Sequence, residues 1–257
     1  MDKLNFNLIY GTHKMSHGIA YGIDYGAIDT ATGYDNTSIL NEIISKLVSP
    51  PCIITKFNQK DFDNGIENSV HEHITQLGFE PDIILIHSTL KNHDENLLAF
   101  MMLKKLFPTK MIGISNFDLK QTKFLIDNDC CPDVMQLEYH PLFQPNKLVD
   151  YCKENNIIVM AYRPFAKGNL LKNHTILCLA NKYNIKPSHL ILKWLREKNM
   201  IPVVSSNNHF NILSNAEYNK ITINKEIHDT LDRMNMGLDG STCMVKFCTI
   251  KGEDPEL

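Results

Sequence analysis

A chain of 257 residues with 43% hydrophobic and 21% charged residues is long and apolar enough to bury a sizeable core, which excludes a disordered protein. Its net charge is −3 and no block of Lys or Arg interrupts it, which excludes an electrostatic nucleic-acid surface. No stretch approaches the ~20 apolar residues of a membrane span, and positions 1–15 lack an apolar run of signal-peptide length, so a cytoplasmic protein without membrane contact is expected.

The elements follow in chain order. Short apolar runs rich in Ile and Val occupy 8–12, 27–30, 52–57, 82–88, 111–116, 133–138, 157–162 and 201–205, the pattern of strands buried on both faces. Between them lie runs of helical period. Residues 38–47 carry Ile39, Leu40, Ile43, Ile44 and Leu47 on one stripe, and 66–77 and 95–106 read the same way. Asp118 is placed to cap a helix over 119–126. Further helices are predicted over 147–155, 177–183, 188–198 after Pro187, 212–218 and 225–234. From Asn235 onward, and above all over 237–257, no period is evident, and a C-terminal loop that could cover one end of the fold is expected.

Eight strand–helix units in one chain predict an α/β fold with parallel strands and right-handed crossovers: a (β/α)8 TIM barrel, one domain over 1–257, with its active site at the C-terminal mouth. An open doubly wound sheet is the alternative. It wants a glycine-rich phosphate loop after an early strand, and neither G-x-G-x-x-G nor G-x-x-x-x-G-K-[ST] occurs. The seven cysteines are odd in number and form no C-x-x-C, so reduced thiols are expected rather than disulfides or a zinc ribbon. His71 and His73 are two apart on a predicted helix and do not share a face, so no metal site is expected there.

In a barrel, consecutive strands are spatial neighbours, so the residues at their C-terminal ends meet around one mouth. Strand 2 ends in Asp29, strand 3 in Lys56 and strand 4 in His87, and Tyr34 follows strand 2 on its loop. A free phenol titrates near ~10 and is a poor proton donor for catalysis at neutral pH. A neighbouring cation favours the phenolate, so Lys56 is expected to lower Tyr34, with Asp29 fixing Lys56 and His87 orienting a carbonyl oxygen. Singly, each of these residues reads as well as a structural ion pair or a partly buried histidine; their coincidence on adjacent strands points to a site.

The same residues resemble the aldo-keto reductase superfamily. Ile28-Asp29-Thr30-Ala31-Thr32-Gly33-Tyr34-Asp35-Asn36 is similar to its I-D-T-A-x-x-Y-x-N motif, with the same step from Asp to Tyr. Ile53-Ile54-Thr55-Lys56-Phe57 and Ile83-Ile84-Leu85-Ile86-His87-Ser88 resemble its lysine and histidine strands. Ile112-Gly113-Ile114-Ser115-Asn116-Phe117 is close to I-G-V-S-N-F, and Gln136-Leu137-Glu138-Tyr139-His140-Pro141 matches Q-x-E-Y-H-P. The similarity runs in order from about Gly11 to Asn215.

The resemblance implies reduction of an aldehyde or ketone, with hydride from a nicotinamide and the proton from Tyr34. Asp29, Lys56 and His87 would complete the catalytic group. Ser115, Asn116 and Gln136 would hold the carboxamide, Tyr162 would stack on the nicotinamide, and Gly11 and Thr12 would line the cofactor. NADPH is the family's usual cofactor, with NADH as the alternative.

The departures fall near strand 8. Where the family has Lys-Ser, then Arg, then Glu-Asn, this chain has Ser205-Ser206, Asn211, Ser214 and Asn215, with no Lys or Arg from Val203 to Asn211. A charge-assisted grip on phosphate is hard to replace with neutral groups. Arg163 and Lys167, which follow strand 7, are candidate substitutes, or else solvated loop charges. His13 and Ser88 stand where aromatic residues are frequent, the N-terminal hairpin common at the barrel bottom is missing, and Trp194, on an amphipathic helix, reads as packing.

The implied partner is a small carbonyl compound, and a monomer is expected. A catalytically weak cofactor-binding regulatory barrel is the alternative function, kept open by the altered strand 8 segment. A metal-dependent hydrolase on the same fold would need clustered His and Asp ligands, and only His87 and Asp29 qualify.

Overall fold

The computed structural model describes residues 4, 6–16 and 18–257. Eight parallel strands close on themselves in sequence order: β1 Ile9–Gly11, β2 Ala27–Asp29, β3 Cys52–Phe57, β4 Ile83–Ile86, β5 Met111–Ser115, β6 Val134–Glu138, β7 Ile158–Tyr162 and β8 Met200–Val204. The closing pair joins Ile9 to Val203 and Tyr10 to Val204. The expected TIM barrel is therefore the observed fold, and each strand lies within a residue or two of its predicted run.

Alternation along each strand sorts the core into two layers. Ile9, Ala27, Ile54, Ile83, Leu85, Val134, Met160, Ile201 and Val203 form a cluster inside the barrel, joined by Phe6. Phe6, from the segment before β1, is buried against this cluster. The alternate residues, such as Phe57, Ile84, Ile112, Met135 and Val159, cluster with helix residues outside the barrel.

Helix ends depart from the apolar period where capping decides them. Asp118 accepts the N–H of Gln121 at 2.8 Å, and Gln121 Oε1 accepts the N–H of Asp118 at 3.1 Å, so the expected cap is a full capping box for Leu119–Asp127. Asn92 accepts Glu95 N–H and starts its helix at His93, earlier than predicted. Asn173 and Asn208 do the same for His174–Tyr183 and His209–Ala216. Pro187 occupies the first turn of Pro187–Glu197, as expected. Trp194 is buried in that helix, its indole N–H donating to Asp232 at 2.9 Å.

The tail corrects the expectation of a loop. It contains a 3-10 turn, Gly237–Gly240, and a short helix, Met244–Cys248, with Met244 and Cys248 fully buried. Five residues are too few to show a helical period, which is why the sequence hid it. Gly240 is required by packing: a Cβ there would stand 1.8 Å from the carbonyl oxygen of Leu142. No helix among the described residues is long and apolar enough to cross a membrane.

Candidate functional site

One rule places the polar residues of the mouth. Two positions beyond the inward-facing Ile9, Ala27, Ile54, Leu85, Val134, Met160 and Val203 come Gly11, Asp29, Lys56, His87, Gln136, Tyr162 and Ser205. Each continues the inward face of its strand past the apolar layer, so the side chains converge. Ser115 ends β5 in register with Gln136. All but Lys56, which lies behind, line a cavity of about 670 Å³, together with Tyr34 and Asn116. The backbone at Gly11 runs close to β8: a Cβ there would lie 2.8 Å from Ser205 Oγ and 3.2 Å from Val203 Cγ1.

Lys56 is 1% exposed, and its ammonium bonds Asp29 Oδ1 at 2.6 Å and the Thr30 carbonyl at 2.9 Å. Burial works to lower the Lys56 pKa, but the Asp29 carboxylate and the Tyr34 phenol outweigh it and hold the ammonium above its ordinary value. Asp29 Oδ2 also accepts an N–H from Gln136 at 2.6 Å, a contact linking β2 to β6 across the barrel. Lys56 Nζ stands 5.3 Å from the centroid of the Tyr34 ring. The Tyr34 ring meets His87 edge-on at 5.9 Å and His13 at 4.9 Å.

The electrostatics correct one expectation. Tyr34 is raised above its ordinary pKa, because burial outweighs the pull of Lys56. Lys56 limits the rise without reversing it, so the phenol keeps its proton at neutral pH. His87 is pushed down to about 3 by burial, then by Lys56 and His13, so its imidazole is neutral and carries one N–H and one lone pair. His13 is lowered by burial and by Lys14 and Arg163.

The residues implied for the carboxamide form a linked group. Asn116, at φ 57°, donates to the His87 carbonyl at 2.9 Å and to Ser115 Oγ at 3.1 Å, and its Oδ1 accepts the Tyr162 hydroxyl. Thr12 is buried and apart from the cavity wall, its hydroxyl donating to the Asp29 carbonyl at 3.0 Å. The Thr12 hydroxyl therefore ties the end of β1 to the end of β2.

A second cavity of about 430 Å³ adjoins the first and brings together Ser205, Asn211 and Asn215. Arg163, Lys167, Val203 and Ser205 line both. Two nucleotide-sized spaces with a shared, cation-bearing wall fit a dinucleotide, and a wall built of Ser and Asn fits hydroxyls and amides.

Sequence reasoning missed several wall residues. Asn58 continues the inward face of β3 beyond Lys56, so alternation alone would find it. Lys14 lies on the loop after β1, and Cys243 and Phe247 come from the tail, where no periodic signal exists. The hub of that tail is Glu138, which carries the segment over the mouth. It accepts Ser241 Oγ at 2.8 Å and the N–H groups of Thr242, Cys243 and Met244 at 2.9, 3.0 and 2.9 Å.

Comparison with known proteins agrees with this geometry. Residues 14–236 match the model of the Aldo/keto reductase family. The chain belongs to this family. As an aldo-keto reductase it is an oxidoreductase of the nicotinamide-dependent class. It is 36% identical over 118 residues to an aldehyde reductase of Saccharomyces cerevisiae, a match covering 44% of this chain and 38% of that protein. It is 30% identical over 158 residues to the glyoxal reductase of Bacillus subtilis, covering 60% of this reductase and 56% of that protein. A methylglyoxal reductase of Yersinia pestis matches at 27% identity over 83% of this chain and 85% of its own length. Among solved structures, an aldo-keto reductase from a deep-sea metagenome superposes with a TM-score of 0.80 at 26% identity, over 89% of each chain. A silkworm (Bombyx mori) aldo-keto reductase in complex with NADPH superposes with a TM-score of 0.77 at 25% identity, over 89% of this chain and 84% of that one.

Proposed function

We propose that this reductase converts aldehydes or ketones to alcohols with NADPH, or with NADH, and that Tyr34 gives the proton. The observation that carries the reading is the placement of Tyr34 in the cavity wall, 5.3 Å from a buried ammonium and edge-on to a neutral imidazole. The relatives named as glyoxal, methylglyoxal and aldehyde reductases, and the silkworm structure holding NADPH, support the chemistry and the cofactor.

When bound, the nicotinamide supplies the hydride. The chain's own residues do the rest. Tyr162, Asn116, Ser115 and Gln136 form the wall that would orient the ring and its carboxamide. Ser205, Asn211 and Asn215 line the space for the adenosine half, and Gly11 leaves room beside them. His87 offers a neutral N–H to the carbonyl oxygen of the substrate. Tyr34 donates its phenolic proton to the alkoxide that forms, and the Lys56 ammonium, fixed by Asp29, steadies the phenolate left behind.

The test is Tyr34→Phe. Carbonyl reduction, followed as loss of reduced nicotinamide absorbance, should fall ~10²- to 10⁴-fold, with cofactor affinity unchanged. Retention of wild-type turnover by Tyr34→Phe would sink the assignment of the proton donor. If the wild type binds cofactor but oxidises it with no aldehyde or ketone in a broad panel, the chain is a cofactor-binding regulatory barrel instead.

A further inference from the structure

The two cavities meet along a seam, and the seam is positively charged. Arg163 and Lys167 line both spaces. Lys14 adds a third cation to the larger one. Among the described residues the single carboxylate in either wall is Asp29, and Lys56 already neutralises it at 2.6 Å. The β8 side of the seam, by contrast, offers Ser205, Ser206, Asn211 and Asn215, all uncharged.

The backbone that carries these cations is unusual. Arg163, Ala166 and Lys167 all lie in the left-handed region, at φ 52°, 45° and 59°. Side-chain-bearing residues adopt that region at a cost, and such residues gather at ligand clamps and active sites. Arg163 is also aimed: its Nη1 donates to Thr242 Oγ1 at 3.0 Å, and Thr242 is anchored by its N–H to Glu138 at 2.9 Å. A guanidinium has five N–H donors in a planar fork suited to phosphate oxygens, and this contact uses one.

A dinucleotide is two nucleotides joined through a diphosphate. Laid across two adjoining cavities, it puts the diphosphate at their seam. We infer that Arg163 and Lys167 clamp the diphosphate of the cofactor, so that anion recognition in this chain is directed at a group NADH and NADPH share. This rests on the nicotinamide-dependent reading above and adds to it the source of phosphate affinity. It also accounts for a strand 8 segment without cations: the charge stands on the facing loop.

Calorimetric titration of the wild type, Arg163→Ala and Lys167→Ala with NADH and with NADPH tests the inference without using turnover. Lys167 is exposed, so its substitution leaves the fold intact even if Arg163→Ala loosens the tail. Each substitution should weaken both cofactors by the same factor, about 10- to 100-fold for a lost charge-assisted contact. Ser205→Lys with Asn211→Arg should strengthen NADPH alone. A loss confined to NADPH would place the cations on the 2′-phosphate and overturn the inference. So would unchanged cofactor affinity with a raised KM for a carboxylate-bearing aldehyde, which would place them on the substrate. Equal weakening of both cofactors in a protein that reduces no carbonyl would uphold the clamp while removing the reductase reading. Failure of the wild type to bind either cofactor would remove both.

Discussion

The carboxylate of Glu138, at the end of β6, accepts the backbone N–H of Met244 at 2.9 Å, 106 residues further along the chain. Four more donors from residues 241–243 share it, the hydroxyls of Ser241 and Thr242 and the N–H groups of Thr242 and Cys243, together with His140 Nε2 at 3.3 Å. Burial pushes this carboxyl up, but the bonds from His140, Met244, Thr242 and Cys243 outweigh burial and hold it well below the usual carboxylate range. Glu138 is 0% exposed, so the segment that brings Cys243 and Phe247 to the cavity is fastened from inside.

Glu138→Ala should therefore act locally before it acts globally. Five donors of the tail and a buried histidine lose their acceptor, at a cost of about 3–5 kcal/mol. Hydrogen exchange should quicken over 241–248 while β1–β5 stay protected. Uniform loss of protection across the barrel would show that Glu138 supports the sheet and not the tail.

Asp29→Asn isolates Lys56. Without the carboxylate, burial is left to dominate, and the ammonium falls below its ordinary pKa. An unpaired buried charge costs about 3–5 kcal/mol, so the urea midpoint should drop, and least at high pH where the amine is neutral. A midpoint drop independent of pH would mean that the bond to Gln136, and not the ion pair, is what Asp29 contributes.

Much of this site is legible in the amino-acid sequence. Asp29, Lys56 and His87 are two residues beyond apolar inward positions, and a strand's alternation is visible in its residues. The barrel followed from eight such strands. Three things were not readable. The sign of the Tyr34 shift depends on burial against one cation, and burial at the mouth depends on the tail and on His13. The tail's order depends on a single carboxylate over a hundred residues away. Thr12 matched its expected place in the chain, yet its hydroxyl turns to the backbone of its neighbour strand, a choice of rotamer that no spacing reveals.

The raised Tyr34 and lowered His87 shape the pH dependence. Neither group changes state between pH 5 and 9, since His87 titrates at about 3 and Tyr34 above its ordinary value. The kcat/KM for carbonyl reduction should vary by less than ~2-fold over that range and fall only as Tyr34 ionises. Alcohol oxidation needs the phenolate, so its rate should climb about tenfold per pH unit through the same range. A limb near pH 6.5 in reduction that His87→Gln removes would show that His87 titrates as an ordinary imidazole.

Acid should also unfold this chain earlier than its carboxylates alone would dictate. His73 is buried, its Nε2 2.7 Å from the Thr55 hydroxyl, and burial pushes it down to about 4. His87 lies lower still, at about 3. In the unfolded chain both return to near ~6.5. A folded pKa below the unfolded one means that the unfolded state binds protons first, so this stability is complete above pH 6.5 and is lost as pH falls toward the folded values. Urea midpoints should therefore decline steadily from pH 7 to pH 4.5, before most carboxylates protonate. His73→Gln keeps a hydrogen bond to Thr55 within reach but cannot take up a proton, so it should flatten that decline. An equally steep decline in His73→Gln would assign the acid lability to other groups.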